Sequence, residues 1–147
     1  MAANFSPIFV LTPNCPVITI PGLVASANTA RDGSGTLGTN IFNLFTAGAN
    51  GSRVDYIKFT SAQATPAGSS AMVGRVFLTD TLGNNPRLIE EVAIVTATAS
   101  NTVIGATSTI TFIGGLIIDS GQIIRVSQSV CAGVQDQMQV VARGGDF

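Results

Sequence analysis

Histidine, the commonest general base and metal ligand, is missing from all 147 residues of this sequence. Ser-His-Asp and Cys-His arrangements and His-based metal centres are therefore excluded. Cys15 and Cys131 lie too far apart in the chain to match zinc-ligand spacing, and two reduced thiols are expected of them, with a Cys15–Cys131 disulfide as the less favoured alternative. Glu90-Glu91 is the one adjacent carboxylate pair. Neighbours on a strand point to opposite faces, so the two cannot share a task. Asp32, Asp80 and Asp119 sit among turn residues, where capping a turn is the expected role. No catalytic residue, metal site or cofactor is expected, and the chain reads as a non-enzyme.

Two motif matches fail on context. Gly33-Ser-Gly35-Thr-Leu-Gly38 spells G-x-G-x-x-G, with Asp55 near the spacing of a ribose-binding acid. The dinucleotide fingerprint needs a strand before it and a helix after it, because the helix N-terminus holds the pyrophosphate. Here a polar loop precedes it and the β-like Asn40–Phe45 follows. Asn50-Gly51-Ser52 spells a glycosylation sequon, but Asn-Gly is better read as a turn. Arg53, Arg75, Arg125 and Arg143 fall inside predicted strands, where pairing with acids such as Asp55 is expected and intersubunit pairing is the functional alternative.

The elements that carry these residues are strands. Ile (14), Val (14) and Thr (16) dominate, while Glu (2), Lys (1) and Leu (8) are scarce. β-branched residues suit a pleated sheet, and exposed helices are built from the scarce ones. Strands are predicted at 17–27, 40–46, 52–60, 70–79, 87–96, 108–113, 122–129 and 135–143. Alternation carries several of them: Met72, Val76 and Leu78; Ile124 and Val126; Met138, Val140 and Ala142 opposite Gln137 and Gln139. Turns are expected at Asn50-Gly51, Gly83–Pro86, Gly114-Gly115 and Ser120-Gly121. The fold class is all-β: an antiparallel β-sandwich of about eight strands, jelly-roll-like.

Two segments stand outside that pattern. Residues 1–22 hold four of the six prolines and read as an extended arm ahead of a β-sandwich domain at 23–147. The arm's apolar residues, among them Phe5, Phe9 and Leu11, favour packing on a neighbouring subunit over completing the chain's own core. Residues 28–39 read as a polar, glycine-rich loop.

Charge says what surrounds the domain. Charged residues are 10% of the chain, against roughly 25% in an ordinary soluble domain, and mean hydropathy is +0.45. A Ser/Thr/Asn/Gly-rich surface can stay wet without charge, but coverage by partners is the favoured reading. With a pI of about 5.0, nucleic acid is not an expected partner. The apolar stretch Phe112–Ile118 is far below the ~20 residues of a spanning helix, and the first seven residues lack a positive charge, so neither membrane nor secretory signal is expected.

Several stretches carry a family resemblance. The run Phe45-Thr-Ala-Gly-Ala-Asn-Gly-Ser-Arg-Val-Asp-Tyr-Ile57 and the segments Ala132-Gly-Val and Val140-Val-Ala-Arg-Gly-Gly-Asp-Phe147 resemble a family of small tailed-bacteriophage virion structural proteins. Ser26–Gly35 and Arg75-Val-Phe-Leu78 fit as well, so the resemblance spans about residues 24–147. It implies a head decoration or cement protein, located in the virion and assembled in the host cytoplasm. The implied partners are the major capsid protein and copies of the chain itself, as a trimer, with no small-molecule substrate. The candidate partner-binding residues are Phe5, Pro7, Phe9, Leu11 and Pro13 of the arm, with Arg31 and Asp32 of the glycine-rich loop. A tail, neck or fibre-base component would share this composition. A carbohydrate-binding sandwich is the more distant alternative, because such modules offer exposed aromatics and this chain has no Trp and one Tyr.

Overall fold

Alternating β-branched and aromatic residues form the strands, and glycine, proline and asparagine end them. The computed structural model describes residues 12–62, 68–100 and 102–147. The strands are β1 (Thr12–Asn14), β2 (Val17–Ile20), β3 (Phe42–Thr46), β4 (Ser52–Ser61), β5 (Met72–Thr79), β6 (Arg87–Ile94), β7 (Thr107–Ile118), β8 (Ile123–Gln128) and β9 (Met138–Asp146). Single 3-10 turns occupy Val24–Ser26 and Val134–Asp136, and no α-helix forms among the described residues.

The strands make two antiparallel sheets. The larger runs β1-β9-β4-β7, with β2 also on β9, and the smaller runs β3-β8-β5-β6. Pairing is nested: β2 with β9, β3 with β8, β4 with β7 and β5 with β6. That is one long hairpin rolled over on itself, closed by β9 on β4 and β8 on β5. An eight-stranded jelly roll has this order, and β1 is an added short edge piece. The core between the sheets contains Ile20, Val54, Ile57, Phe59, Val76, Ile124, Val126, Met138 and Val140, all fully buried.

The structure moves several expected boundaries. Residues 12–14 and 17–20 of the expected arm pair with β9, and Ile20 lies in the core. This part of the arm therefore completes its own sheet, because an edge position tolerates prolines that an interior strand does not. The strand expected over 17–27 stops at Ile20, where Pro21 removes a donor and Gly22 packs against the Gly133 backbone. The strand expected at 135–143 begins at Met138, after the 3-10 turn, and extends to Asp146.

Gly114-Gly115 does not end a strand. Between the pairs Val54↔Leu116 and Tyr56↔Thr111, β4 contributes Asp55 alone while β7 contributes Phe112–Gly115. The excess residues form a bulge, with both glycines near φ +83 and +82. The Arg53 side chain lies where a Gly115 side chain would project. Ile113, at the bulge, is 100% exposed.

The glycine-rich loop covers the outer face of the smaller sheet. Arg75 and Phe77 alternate with core-facing Val76, yet both are buried. Gly33 packs on Phe77 and Pro86, Asn28 N–H donates to the Gln128 carbonyl at 2.9 Å, and Arg75 Nη1 donates to the Asn28 carbonyl at 2.8 Å. The G-x-G-x-x-G match thus serves as a lid on a sheet.

Candidate interaction surface

The expected partner-binding residues separate into three places. Phe5, Pro7, Phe9 and Leu11 lie outside the described residues. Pro13 is exposed in β1, opposite Gly145 of β9. Arg31 and Asp32 belong to the loop over the other sheet, so the structure does not bring Pro13 together with them. Arg31 Nη2 donates to Glu91 Oε2 at 2.5 Å, and Glu91 Oε1 also accepts Arg75 Nε at 2.8 Å. The two guanidiniums, Arg75 foremost, hold the Glu91 carboxyl below the usual glutamate range. Asp32 Oδ1 accepts the Ser34 N–H at 2.9 Å, and hydrogen bonding from Ser34 lowers the Asp32 carboxyl as well. Arg31 ties the loop to β6 of its own domain, and Asp32 shapes the loop from within.

Arg53 and Arg125 are also engaged within the chain. Arg53 Nε meets Asp55 at 2.7 Å, and Arg125 Nε donates to Asn43 Oδ1 at 2.8 Å. A side-chain hydrogen bond with Tyr56 raises the Arg143 guanidinium above its ordinary value. Cys15 is an exposed free thiol, and Cys131 a buried one whose pKa burial pushes up. Among the described residues no group of three or more Cys, Asp or Glu is placed to hold a metal ion.

A different surface emerges where loops meet at one end of the sandwich. Its described residues are 21–27, 62, 68–71, 95–100, 102–106 and 129–137, from four loop segments spanning 21–27, 62–71, 95–106 and 129–137 of the sequence. Gly22 touches Gly133 and Val134, Ala62 N–H donates to the Gln137 carbonyl at 2.9 Å, Ser69 N–H to Ala97 at 3.0 Å, and Ser61 N–H to Ala106 at 2.7 Å. These four segments contain one charged residue, Asp136, and it is 0% exposed. Six large aliphatic side chains protrude instead: Leu23, Val24, Val95, Val103, Ile104 and Val134, each more than half exposed. Ala99, Thr102, Val103 and Ile104 also line an open hollow beside Thr60.

Asp136 holds this end in shape. Its Oδ1 accepts the Ser70 N–H at 2.7 Å, and its Oδ2 accepts the Ser70 hydroxyl at 3.1 Å and the Ala132 N–H at 2.7 Å. Gln128 Nε2 donates to the Asp136 carbonyl at 2.8 Å and to Cys131 Sγ at 2.7 Å. A buried carboxylate with three donors joins two loops that are far apart in sequence, because a buried carboxylate left without donors is costly. Exposed aliphatic residues on a surface with no exposed charge among the described residues match the composition of interface cores, which are depleted in charge. Sequence reasoning passed over this surface, although its signal was present: four loop segments with a single charge among them.

No protein-family model and no curated protein matches the chain. Among solved structures it is similar to a chain in the crystal structure of the T13 IBDV viral particle, at 18% identity and a TM-score of 0.33. It is also similar to a chain in the structure of infectious bursal disease virus Gt strain, at 18% identity and a TM-score of 0.27. Each match covers 98% of this chain and 34% of the other, so the chain spans about a third of the length of those viral chains. TM-scores this low carry no argument, and the jelly roll rests on the strand pairing alone. Fold and surface define a jelly-roll sandwich with one charge-free, aliphatic loop end.

Proposed function

We propose that the chain is a non-enzymatic virion structural protein, a capsid decoration or cement protein that binds the assembled head lattice. The charge-free loop end carries this reading. A free monomer keeps apolar patches small, whereas a protein that spends its life in a shell can expose them where a neighbour will sit. The partners are the major capsid protein and further copies of the chain in a trimer, whose linked footprints raise avidity without new contacts. The sequence resemblance to small tailed-phage virion proteins supports the same role.

Titration of the protein onto assembled heads tests it. Ile104→Asp and Val134→Asp place charge on exposed side chains, so folding is kept while attachment drops at least about tenfold, since tenfold is about 1.4 kcal/mol and desolvating an unpaired charge costs more than that. Attachment to isolated tails in preference to heads, or unchanged attachment of both variants, would contradict the proposal.

A further inference from the structure

The larger sheet has an outer face of a different character. Val54, Ile57 and Phe59 of β4 are buried, so Tyr56, Lys58 and Thr60 point away from the core. The register sets Thr60 between Gln139 and Thr107, Lys58 between Val141 and Thr109, and Tyr56 between Arg143 and Thr111. Every one of these residues is exposed or half-buried. The corresponding face of the smaller sheet is closed over by the 28–39 loop.

The charges on this face do not balance. Lys58, the single lysine of the chain, and Arg143 are diagonal neighbours, about 7–8 Å apart in such a ladder. Neither meets a carboxylate among the described residues, and residues 1–11, 63–67 and 101 contain no acid. Asp55 lies on the same strand but is bonded to Arg53. Two positive charges without a carboxylate partner therefore share an open sheet face with the chain's one tyrosine, on a protein of net charge −1.

We propose that this face docks a carboxylate-bearing protein surface. Lys58 and Arg143 supply complementary charge, Tyr56 supplies an amphipathic anchor, and the threonines offer hydroxyls along the same face. A nucleic-acid duplex is the weaker fit, since such binders neutralise about 6–10 phosphates and this face offers two cations. The surface is separate from the charge-free loop end, and the two stand or fall independently.

The test uses poly-L-glutamate as the carboxylate probe, with a short DNA duplex of equal charge beside it, in low salt. Amide chemical-shift changes on adding poly-L-glutamate are expected at Tyr56, Lys58, Thr109, Val141 and Arg143. Lys58→Gln with Arg143→Gln should weaken the apparent affinity about tenfold, as expected for two exposed pairs, and added salt should abolish the rest. Shifts centred on Arg31, Arg87 or Arg125, tighter binding of the duplex, or self-association through this face would each overturn the proposal. Poly-L-glutamate mapping to the face while Ile104→Asp still attaches to heads would retain this inference and remove the loop-end reading.

Discussion

Gly74 of β5 lies directly beneath the ring of Phe59 on β4, so that a Cβ on Gly74 would stand 2.9 Å from both Cε1 and Cζ of the ring. The contact joins the two sheets at the centre of the sandwich, where Phe59 is 0% exposed. Any side chain at position 74 must displace an aromatic ring that has no room to move. Gly74→Val should cost about 1–3 kcal/mol, the usual range for overpacking, read as a lower denaturation midpoint with an unchanged m-value. An unaltered midpoint would mean that the sheets pack differently.

Removing the buried Asp136 carboxylate takes the acceptor from the partly buried amides of Ser70 and Ala132. Asp136→Ala should destabilise by about 2–4 kcal/mol, from lost charge-assisted bonds and stranded donors. Hydrogen exchange should quicken first at Ser70 and Ala132. Exchange that quickens evenly over the whole sandwich would argue against a local latch.

Acid should loosen the glycine-rich loop. Glu91 has a folded pKa below its ordinary value of about 4.3, so the folded state binds fewer protons than the unfolded state in that range. Its contribution is complete above the unfolded pKa and is lost as pH falls through the lower folded one. Stability should decline over that window in the wild type, and Glu91→Gln should flatten that part of the curve. Identical pH profiles would remove Glu91 from the account.

Ile113 and Gly115 of the β7 bulge should respond in opposite ways. Ile113 is 100% exposed, so Ile113→Ser should change stability by no more than about 0.5 kcal/mol. Gly115 has φ +82 and lies under Arg53, so Gly115→Val should cost about 1–3 kcal/mol through backbone strain and displacement of the Arg53–Asp55 pair. Thermal melts of the two variants side by side settle the point.

Truncation separates the two parts of the N-terminal segment. Deleting residues 12–20 removes β1 and β2 from β9 and takes Ile20 out of the core, which should lower the melting temperature markedly. An unchanged melting temperature would return these residues to the role of a free arm.

The strands were legible because side-chain alternation survives in a sandwich with one buried face, as in Met138, Val140 and Ala142. The prolines were misleading as far as Ile20, since edge pairing to β9 accepts them and local propensity cannot see an edge. Gly114-Gly115 looked like a turn because positive φ serves a bulge and a turn equally well. The loop over Phe77 was invisible for another reason: that contact joins residues more than forty apart, and nothing local announces it. Arg31 and Asp32 were named as contacts of the glycine-rich loop, and their bonds to Glu91 and Ser34 could not be read from the sequence. The charge-free end was written in the composition of four loops, but only the topology brings those loops together.

Hydrogen exchange compared between the free protein and the same protein on assembled heads tests the central claim most directly. The account predicts added protection at residues 21–27, 95–106 and 129–137, with the opposite loops at 47–51 and 119–122 unchanged. Protection confined to those opposite loops, with the aliphatic end exchanging as in the free protein, would contradict it.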